Sequence, residues 1–463
     1  MTQENGTQEN ETQENGTKKI GTKDNGMLAI RRRSLLGAAG ALATGAAIPR
    51  AMAADQPPIG TWPAGASGSS VFVALCTPLT GTYAAAGADE RKGFELAIAH
   101  LNEGNELFRK TSPLTTKGVL GKTVAFDVAD SEAKPNTAVQ AQSRFISEKK
   151  AIMIAGSVSS AVAVAINKLA QREHVIYLPM ITGSNDTSGK DCTRYSFRAS
   201  HYAYTAANAI SPELIKALGK GKKVAYLTPD YTYGHSVTGS MQEFLKPAGW
   251  TTVTDQVCPL GAPDYSSFLL NISNSGADVL INVNFGNDAV TSVKQAKQFG
   301  ILDKMTLVMP YLSPFLSKEA GPELMQGVYG TTEFWWTLGD KYPAAKQFVD
   351  AFNAKYGYKP EWGAHIAYMQ VAMWADAVEH AKTFYPPAVI ESYESGRTIN
   401  SDIGPVKWRA ADHQLIRPVI VTKGKKVADM KSPDDYFEIV SVVPGDNLMQ
   451  APDAFGCKLG PAT

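Results

Sequence analysis

The sequence predicts an α/β protein built as two similar lobes, each a parallel sheet covered by helices, with a ligand cleft between them and a multi-strand hinge joining them. Three observations carry this. Short apolar strand-like runs alternate with segments whose apolar residues recur at helical spacing, from Ser70 onward. The same alternation starts again near Val224. A late pair of helical segments is followed by extended chain, which requires several crossings between the lobes.

The elements follow in order. Residues 71–75 form a strand, followed by the turn Pro78-Leu79-Thr80-Gly81, and Phe94, Ile98 and Leu101 then mark one face of a helix. A strand at 124–128 precedes a helix carrying Ala138, Ala141 and Phe145, with Pro135 near its start. A buried-type strand at 151–155, a helix at 161–172 and a strand at 175–178 complete the first set. The second set comprises strands at 224–228, 253–257, 279–283 and 307–309, with helical segments at 241–245, 268–272 and 290–299 between them. Lobe one is expected over 70–198 plus 332–395, and lobe two over 199–331 plus 396–440. The connections fall at 197–200 and 331–334. The helices 344–356 and 365–381 return to lobe one, extended chain over 404–423 closes lobe two, and 441–463 is a tail.

The N-terminal region reads differently. Residues 1–30 hold a pentapeptide repeat (TQENG, TQENE, TQENG, TKKIG, TKDNG) with almost no apolar content, and this predicts a disordered leader. Translation is read as starting at Met1 or, with the repeat dispensable, at Met27. Residues 31–53 have the order of an export signal: Arg31, Arg32 and Arg33, a short Leu/Ala/Gly stretch, then Ala51-Met52-Ala53, which places cleavage near Ala53/Ala54. Arg32-Arg33 followed by Ser34-Leu35-Leu36 has the form of a twin-arginine signal. The apolar stretch is shorter than the ~20 residues of a bilayer-spanning helix, so no stable membrane anchor is expected and the mature protein is assigned to the periplasm.

Lys plus Arg number 45 and Asp plus Glu 44, a net charge of +1 that leaves no electrostatic footprint for nucleic acid. Cys76, Cys192, Cys258 and Cys457 allow three full pairings, among which the sequence does not choose, and their spacing fits no zinc site. Metal, cofactor and catalytic residues are all expected to be absent. No H-E-x-x-H, C-x-x-C or G-x-S-x-G occurs, and Gly183 to Asp191 fails as a phosphate loop by spacing and by Asp191 at the magnesium position. Small-polar loops remain at strand ends: Gly156-Ser157-Val158-Ser159-Ser160, opening a helix, and Met180-Ile181-Thr182-Gly183. Ser160 alone reads equally as a helix cap.

At these residues the chain resembles periplasmic solute-binding proteins of the leucine/isoleucine/valine-binding type, the extracytoplasmic receptors of ABC transporters. The resemblance covers most of 70–430. It rests on Thr77-Pro78-Leu79-Thr80-Gly81 with Gly87, Leu101-Asn102-Glu103-Gly104, the 156–160 loop, Pro179 with Thr182, Phe197-Arg198, Asp230-Tyr231-Thr232-Tyr233-Gly234 and Ala367-Tyr368. It implies Rossmann-like lobes, hinge closure around a small-molecule ligand, and delivery to a membrane permease. It also implies ligand-binding roles. Ser160, with the backbone near Val158 and Ser159, would hold a carboxylate. Thr182 and the Met180 carbonyl would hold an amine. Tyr233 and Phe285 would close over the ligand, and Tyr83 would replace the aromatic missing at Ala86. The family's second-lobe acid, which pairs with a ligand ammonium, is replaced by Tyr311, so Asp230 or Asp288 would have to supply that charge. With Trp335 and Trp362, these rings point to an amine-lacking carboxylate or amide with an apolar or aromatic body, ahead of a branched-chain amino acid. A sensory module of the same fold and a periplasmic enzyme are the alternatives.

Overall fold

The computed structural model describes residues 66–461. The repeat leader, Met27, the export signal and the cleavage point at Ala53/Ala54 lie outside the described residues. The first sheet contains β1 (Ser70–Thr77), β2 (Thr123–Asp130), β3 (Met153–Gly156) and β4 (Ile176–Pro179), in the order β2-β1-β3-β4 and wholly parallel. β3 and β4 are buried throughout, as strands covered on both faces must be. Register is fixed by pairs such as Ala74↔Ile154 and Ala155↔Leu178.

The second sheet is larger. β5 (Lys223–Pro229), β6 (Thr251–Cys258), β7 (Val279–Asn282), β8 (Thr306–Tyr311) and β9 (Tyr329–Thr332) run parallel. A smaller antiparallel sheet of β10 (Thr398–Ser401), β11 (Gly404–Arg409) and β12 (Gln414–Ile416) follows in sequence. β13 (Val419–Gly424) then adds antiparallel to β9, and β14 (Phe437–Val443) to β13, giving the order β14-β13-β9-β8-β7-β5-β6.

The extended chain over 404–423 was expected to close lobe two as a unit. Of that stretch only β13 does so, joined by β14 further on. β10–β12 form a separate sheet whose end bridges Arg198 to Gln414, on the first-lobe side. The helices Pro343–Tyr356 and Trp362–Ala381 pack on the first lobe: a Cβ at Gly93 would lie 2.0 Å from the Ala364 carbonyl, and His100 Nδ1 is 2.8 Å from the Tyr368 hydroxyl. The helix Ala203–Leu218 was not anticipated. Pro212 lies inside it and argues against a helix locally, but Ala206, Ala207, Ile210 and Leu214 are buried along one face and packing prevails.

Three chain crossings form the hinge, and one carboxylate ties them. Glu333, fully buried, follows β9. Its Oε1 accepts from the His201 amide at 3.2 Å and its Oε2 from Arg417 Nη1 at 2.8 Å. His201 follows the first crossing and Arg417 lies between β12 and β13 in the third. Arg417 Nη2 also donates to the Glu333 carbonyl, at 2.7 Å.

The cysteines form none of the three full pairings. Among the described residues one disulfide, Cys192–Cys457, pins the C-terminal tail to the loop after β4, while Cys76 and Cys258 are buried free thiols. The tail therefore docks: Phe455 packs edge-on against Tyr204. Cys192→Ser with Cys457→Ser should lower unfolding stability by about 2–4 kcal/mol in urea titrations, because the bond closes a 265-residue separation. Cys76→Ser, at a buried apolar position, should be destabilising under reducing and oxidising conditions alike.

Candidate functional site

The site assembles at the carboxyl ends of strands from both lobes, where ligands sit in open α/β sheets. β3 ends in the tight turn at Gly156 and Ser157, with φ +111° and +97°. A Cβ at Gly156 would lie 2.3 Å from the Cys76 carbonyl oxygen, so only glycine fits. Ser157 adopts its positive φ without being glycine, and its hydroxyl donates to the Ser159 carbonyl at 2.6 Å, which stabilises the turn. The turn delivers Val158 to the cleft and opens the helix Ser160–Glu173. β4 ends at Pro179 and delivers Ile181 and Gly183. From the second lobe, β5 delivers Tyr231 and Tyr233, β7 delivers Phe285, and β8 ends in Tyr311. Trp362 arrives on the first turn of its helix.

These eight residues enclose a cavity of about 20 Å³, room for one water molecule. The two lobes meet across it. Thr82 Oγ1 donates to Asp288 Oδ1 at 2.8 Å, and the Thr82 carbonyl accepts from the Asn287 amide at 3.0 Å. Ser184 Oγ is 2.7 Å from Thr232 Oγ1 and 3.1 Å from Ser236 Oγ. The rings form a continuous network: Tyr311 packs edge-on to Tyr233 at 5.4 Å and Phe285 edge-on to Trp362 at 5.7 Å, while Tyr83 lies 5.9 Å from Phe285. His201 stacks on Tyr311 at 4.6 Å and joins the network to the hinge. Burial lowers the His201 pKa, with Glu333 opposing, which favours the neutral ring.

Of the residues singled out from the sequence, Val158, Tyr233, Phe285, Tyr311 and Trp362 come together around the cavity. Tyr83 stands just behind it, its hydroxyl 2.7 Å from that of Tyr231. Ser160 does not line it: its Oγ accepts from the Ser184 amide at 3.1 Å and so braces the neighbouring loop. Met180 is fully buried, and its amide donates to the Gly156 carbonyl at 3.4 Å. Ser159 Oγ, Thr182 Oγ1 and Tyr311 OH are buried without a hydrogen-bond partner. Trp335 belongs to the second-lobe core, where its Nε1 donates to the Phe437 carbonyl at 3.2 Å.

Neither acid considered for a ligand ammonium is free to meet one. Asp230 turns to solvent and pairs with His235 at 3.0 Å. Asp288 accepts from Thr82 and, at 2.8 Å, from the Gly261 amide. Sequence reasoning missed Tyr231, although it stands in the Asp230-Tyr231-Thr232-Tyr233-Gly234 motif, and missed Ile181, His201 and Glu333. Two residues before Tyr233 in the strand-end loop was the available signal for Tyr231; nothing local marks Glu333. Asp89 was missed too. It caps the helix that carries Trp362, accepting from the Ala364 amide at 2.6 Å and the Tyr358 hydroxyl at 3.1 Å. Among the described residues no cluster of His, Cys, Asp and Glu could hold a metal ion, and no helix is long and apolar enough to cross a membrane.

Two α/β lobes, three hinge crossings and a cleft at the strand ends define a protein that closes on a ligand. The family model for periplasmic binding proteins matches residues 70–429. The chain belongs to this family, one of ligand-binding rather than catalytic proteins. Leu/Ile/Val-binding protein homolog 8 of Brucella abortus (strain 2308) is 26% identical over 331 residues, covering 69% of this chain and 78% of the relative. A periplasmic binding protein from Burkholderia mallei superposes with a TM-score of 0.76 at 24% identity, over 84% of this chain and all of that one. An ABC-transporter solute-binding protein from R. palustris, in complex with benzoate, superposes at 0.71 with 21% identity, over 84% of this chain and all of that one.

One buried acid under the site gives a pH signature. Glu90 is fully buried near Thr77 and Ser157, and neither oxygen makes a hydrogen bond of normal geometry. Burial pushes its carboxyl up to about 8, with Thr77 opposing. A raised folded-state pKa means that its contribution to stability is complete below the unfolded value near 4.5 and is lost as pH rises towards 8. Glu90→Gln should therefore gain on the wild type by up to a few kcal/mol at pH 8 and lose that advantage near pH 4.5, as read by denaturant titration at both pH values.

Proposed function

We propose that the mature protein is the extracytoplasmic receptor of an ABC importer, capturing a small carboxylate that lacks an amine and has an apolar or aromatic body, and presenting it to a membrane permease. The observation that carries this reading is the lining of the cleft: eight uncharged residues, five of them aromatic, and no carboxylate free to neutralise an ammonium. An α-amino acid buried there would hold its positive charge without a counter-ion, at a cost of several kcal/mol. A carboxylate needs donors, and of the buried, uncommitted hydroxyls of Ser159, Thr182 and Tyr311, that of Tyr311 belongs to the cavity lining. Aromatic walls add about 0.5–1.5 kcal/mol per ring pair beyond burial. The benzoate complex of the R. palustris protein shows a ligand of this chemistry in the same fold. The name of the Brucella relative favours branched-chain amino acids instead, and this is the competing ligand. Release into the periplasm would follow cleavage near Ala53/Ala54.

Capture requires the lobes to part, because about 20 Å³ holds no such ligand. Calorimetric titration should show micromolar binding of benzoate or cinnamate and at least tenfold weaker binding of leucine. Tyr311→Phe, which removes the hydroxyl and keeps the ring, should weaken the acid by roughly 1.5–3 kcal/mol. Micromolar leucine binding with no response to either acid would overturn the ligand assignment while leaving the receptor role in place.

A further inference from the structure

The chain beyond β14 leaves the second lobe and ends on the first. Gly445 packs on the third hinge crossing, where a Cβ would lie 2.4 Å from the Arg417 carbonyl oxygen, so only glycine fits. Two contacts then hold the tail to the second-lobe helix Ala203–Leu218. The carbonyl of the buried Leu448 accepts from Asn208 Nδ2 at 3.3 Å, and Gln450 Oε1 takes the hydroxyl of Tyr202, the residue before the helix. The Gln450 carbonyl accepts from Arg409 Nη1 on β11 at 2.7 Å. Phe455 lies between the lobes. Its ring is edge-on to Tyr204 of the same helix, with centroids 5.7 Å apart. On its other side is Gly189, in the first-lobe loop after β4, where a Cβ would lie 2.6 Å from the Phe455 Cβ. Cys457 is bonded to Cys192 in that loop, and the Gly460 carbonyl accepts from Arg194 Nε at 3.0 Å. The tail is therefore a fourth length of chain between the lobes.

The loop that it grips is one whose contacts hold the cleft closed. The Asn185 amide donates to Ser236 Oγ at 3.1 Å, Asn185 Nδ2 lies 3.1 Å from Ser240 Oγ, and Asn185 Oδ1 accepts from the Tyr204 amide at 3.0 Å. Ser236 and Ser240 lie on the second-lobe helix Thr232–Leu245, so these bonds break when the lobes part. Tyr204 meets both Asn185 and Phe455, and its ring packs edge-on to Phe244 of that helix at 4.9 Å. With Cys457 held covalently, the tail cannot leave with the second lobe. Opening must then strip Phe455 from Tyr204. With the bond broken, the tail can stay on the second lobe, and opening costs only the packing at Gly189 and the hydrogen bond from Arg194.

We propose that the C-terminal tail is a strap along the side of the cleft, which the Cys192–Cys457 bond ties into the closed form and which resists the parting of the lobes. Extended chain reaches about 3.3 Å per residue, so the segment 444–456, once peeled away, is long enough to let the lobes separate. The strap thus sets how often the cleft opens rather than whether it can, by adding contacts that only the closed form keeps. Cys457 is half-buried, and a dithiol releases the strap: the S–S bond breaks, each sulfur gains an electron and a proton, and the dithiol is oxidised to its own disulfide. None of this depends on which ligand the cleft takes.

Hydrogen exchange of the ligand-free protein tests the strap, because the Asn185 amide is bonded across the seam and exchanges when the lobes part. In the Cys192→Ser, Cys457→Ser protein, and in the wild type in dithiothreitol, this amide should exchange about tenfold faster than in the oxidised wild type. The faster rate should stay nearly flat in low urea, because parting two lobes exposes far less surface than unfolding. Phe455→Ala keeps the bond and deletes the ring against Tyr204, and it should speed the same amide by a smaller factor. Removing the dithiothreitol and reoxidising should restore the slow rate. Circular dichroism and melting confirm that each variant is folded. Equal Asn185 exchange with the bond intact and broken would overturn the strap. A faster rate that rises steeply with urea, in step with the amides of β3, would equally overturn it and leave a bond that only stabilises the fold.

Discussion

The fold turns on Glu333. Each crossing of the hinge is a separate length of chain, and without a common partner the three could shear independently. A single buried carboxylate holds the first through the His201 amide and the third through Arg417, while its own backbone supplies the second. Desolvating such a group costs several kcal/mol, and only a full set of donors offsets it. The same arrangement makes the hinge specific: removing Arg417 would strand a charge inside the protein, a loss of about 3–5 kcal/mol. His201 then carries the hinge to the ligand side, because its ring stacks on Tyr311. Movement of the lobes and rearrangement of the cleft wall thus share one residue.

The closed form is held by contacts that a ligand must compete with or complement. Thr82 with Asp288 and Ser184 with Thr232 bridge the lobes, and the rings fill the space between them. A ligand shifts the open and closed populations only by its differential affinity for the two. In a cleft already filled by Tyr233, Tyr311 and Trp362, any ligand has to part these rings and replace their mutual contacts with its own.

Much of this was legible in the sequence because it follows from periodicity. Every strand of the first sheet and β5 to β8 of the second overlap a segment read as strand from the sequence, although β6 is largely polar and exposed, and Pro135 opens its helix as a first-turn proline should. Reading failed where tertiary context overrides local preference. Pro212 concealed the helix 203–218, and 404–416 reads as strand without revealing which sheet it joins. The site divided in the same way. Val158, Tyr233, Phe285, Tyr311 and Trp362 lie at strand or helix ends that the alternation locates. Ser160 occupies the expected place, but its hydroxyl is taken by the Ser184 amide, a partner 24 residues away that no local pattern specifies. Glu333, Asp89 and Glu90 act through contacts distant in sequence and left no signal.

Electrostatics behind the cleft wall point the same way as its lining. Arg198 is buried, donates to the Thr182 carbonyl at 3.2 Å, and also bonds the Ser184 carbonyl, Ser188 and Gln414. Holding the Thr182 oxygen fixes that peptide so that its far end, the Gly183 N–H, is directed away from the guanidinium, and Gly183 lines the cavity. The guanidinium charge also acts on Tyr311, where it opposes the strong upward effect of burial on the hydroxyl. Glu333 acts on the Tyr311 hydroxyl in the opposite sense to Arg198, but Glu333 is itself paired with Arg417. Two guanidiniums, Arg198 and Arg417, and one carboxylate, Glu333, thus stand behind the wall. The hydrogen bonds that position the loop therefore also fix a guanidinium directly behind it.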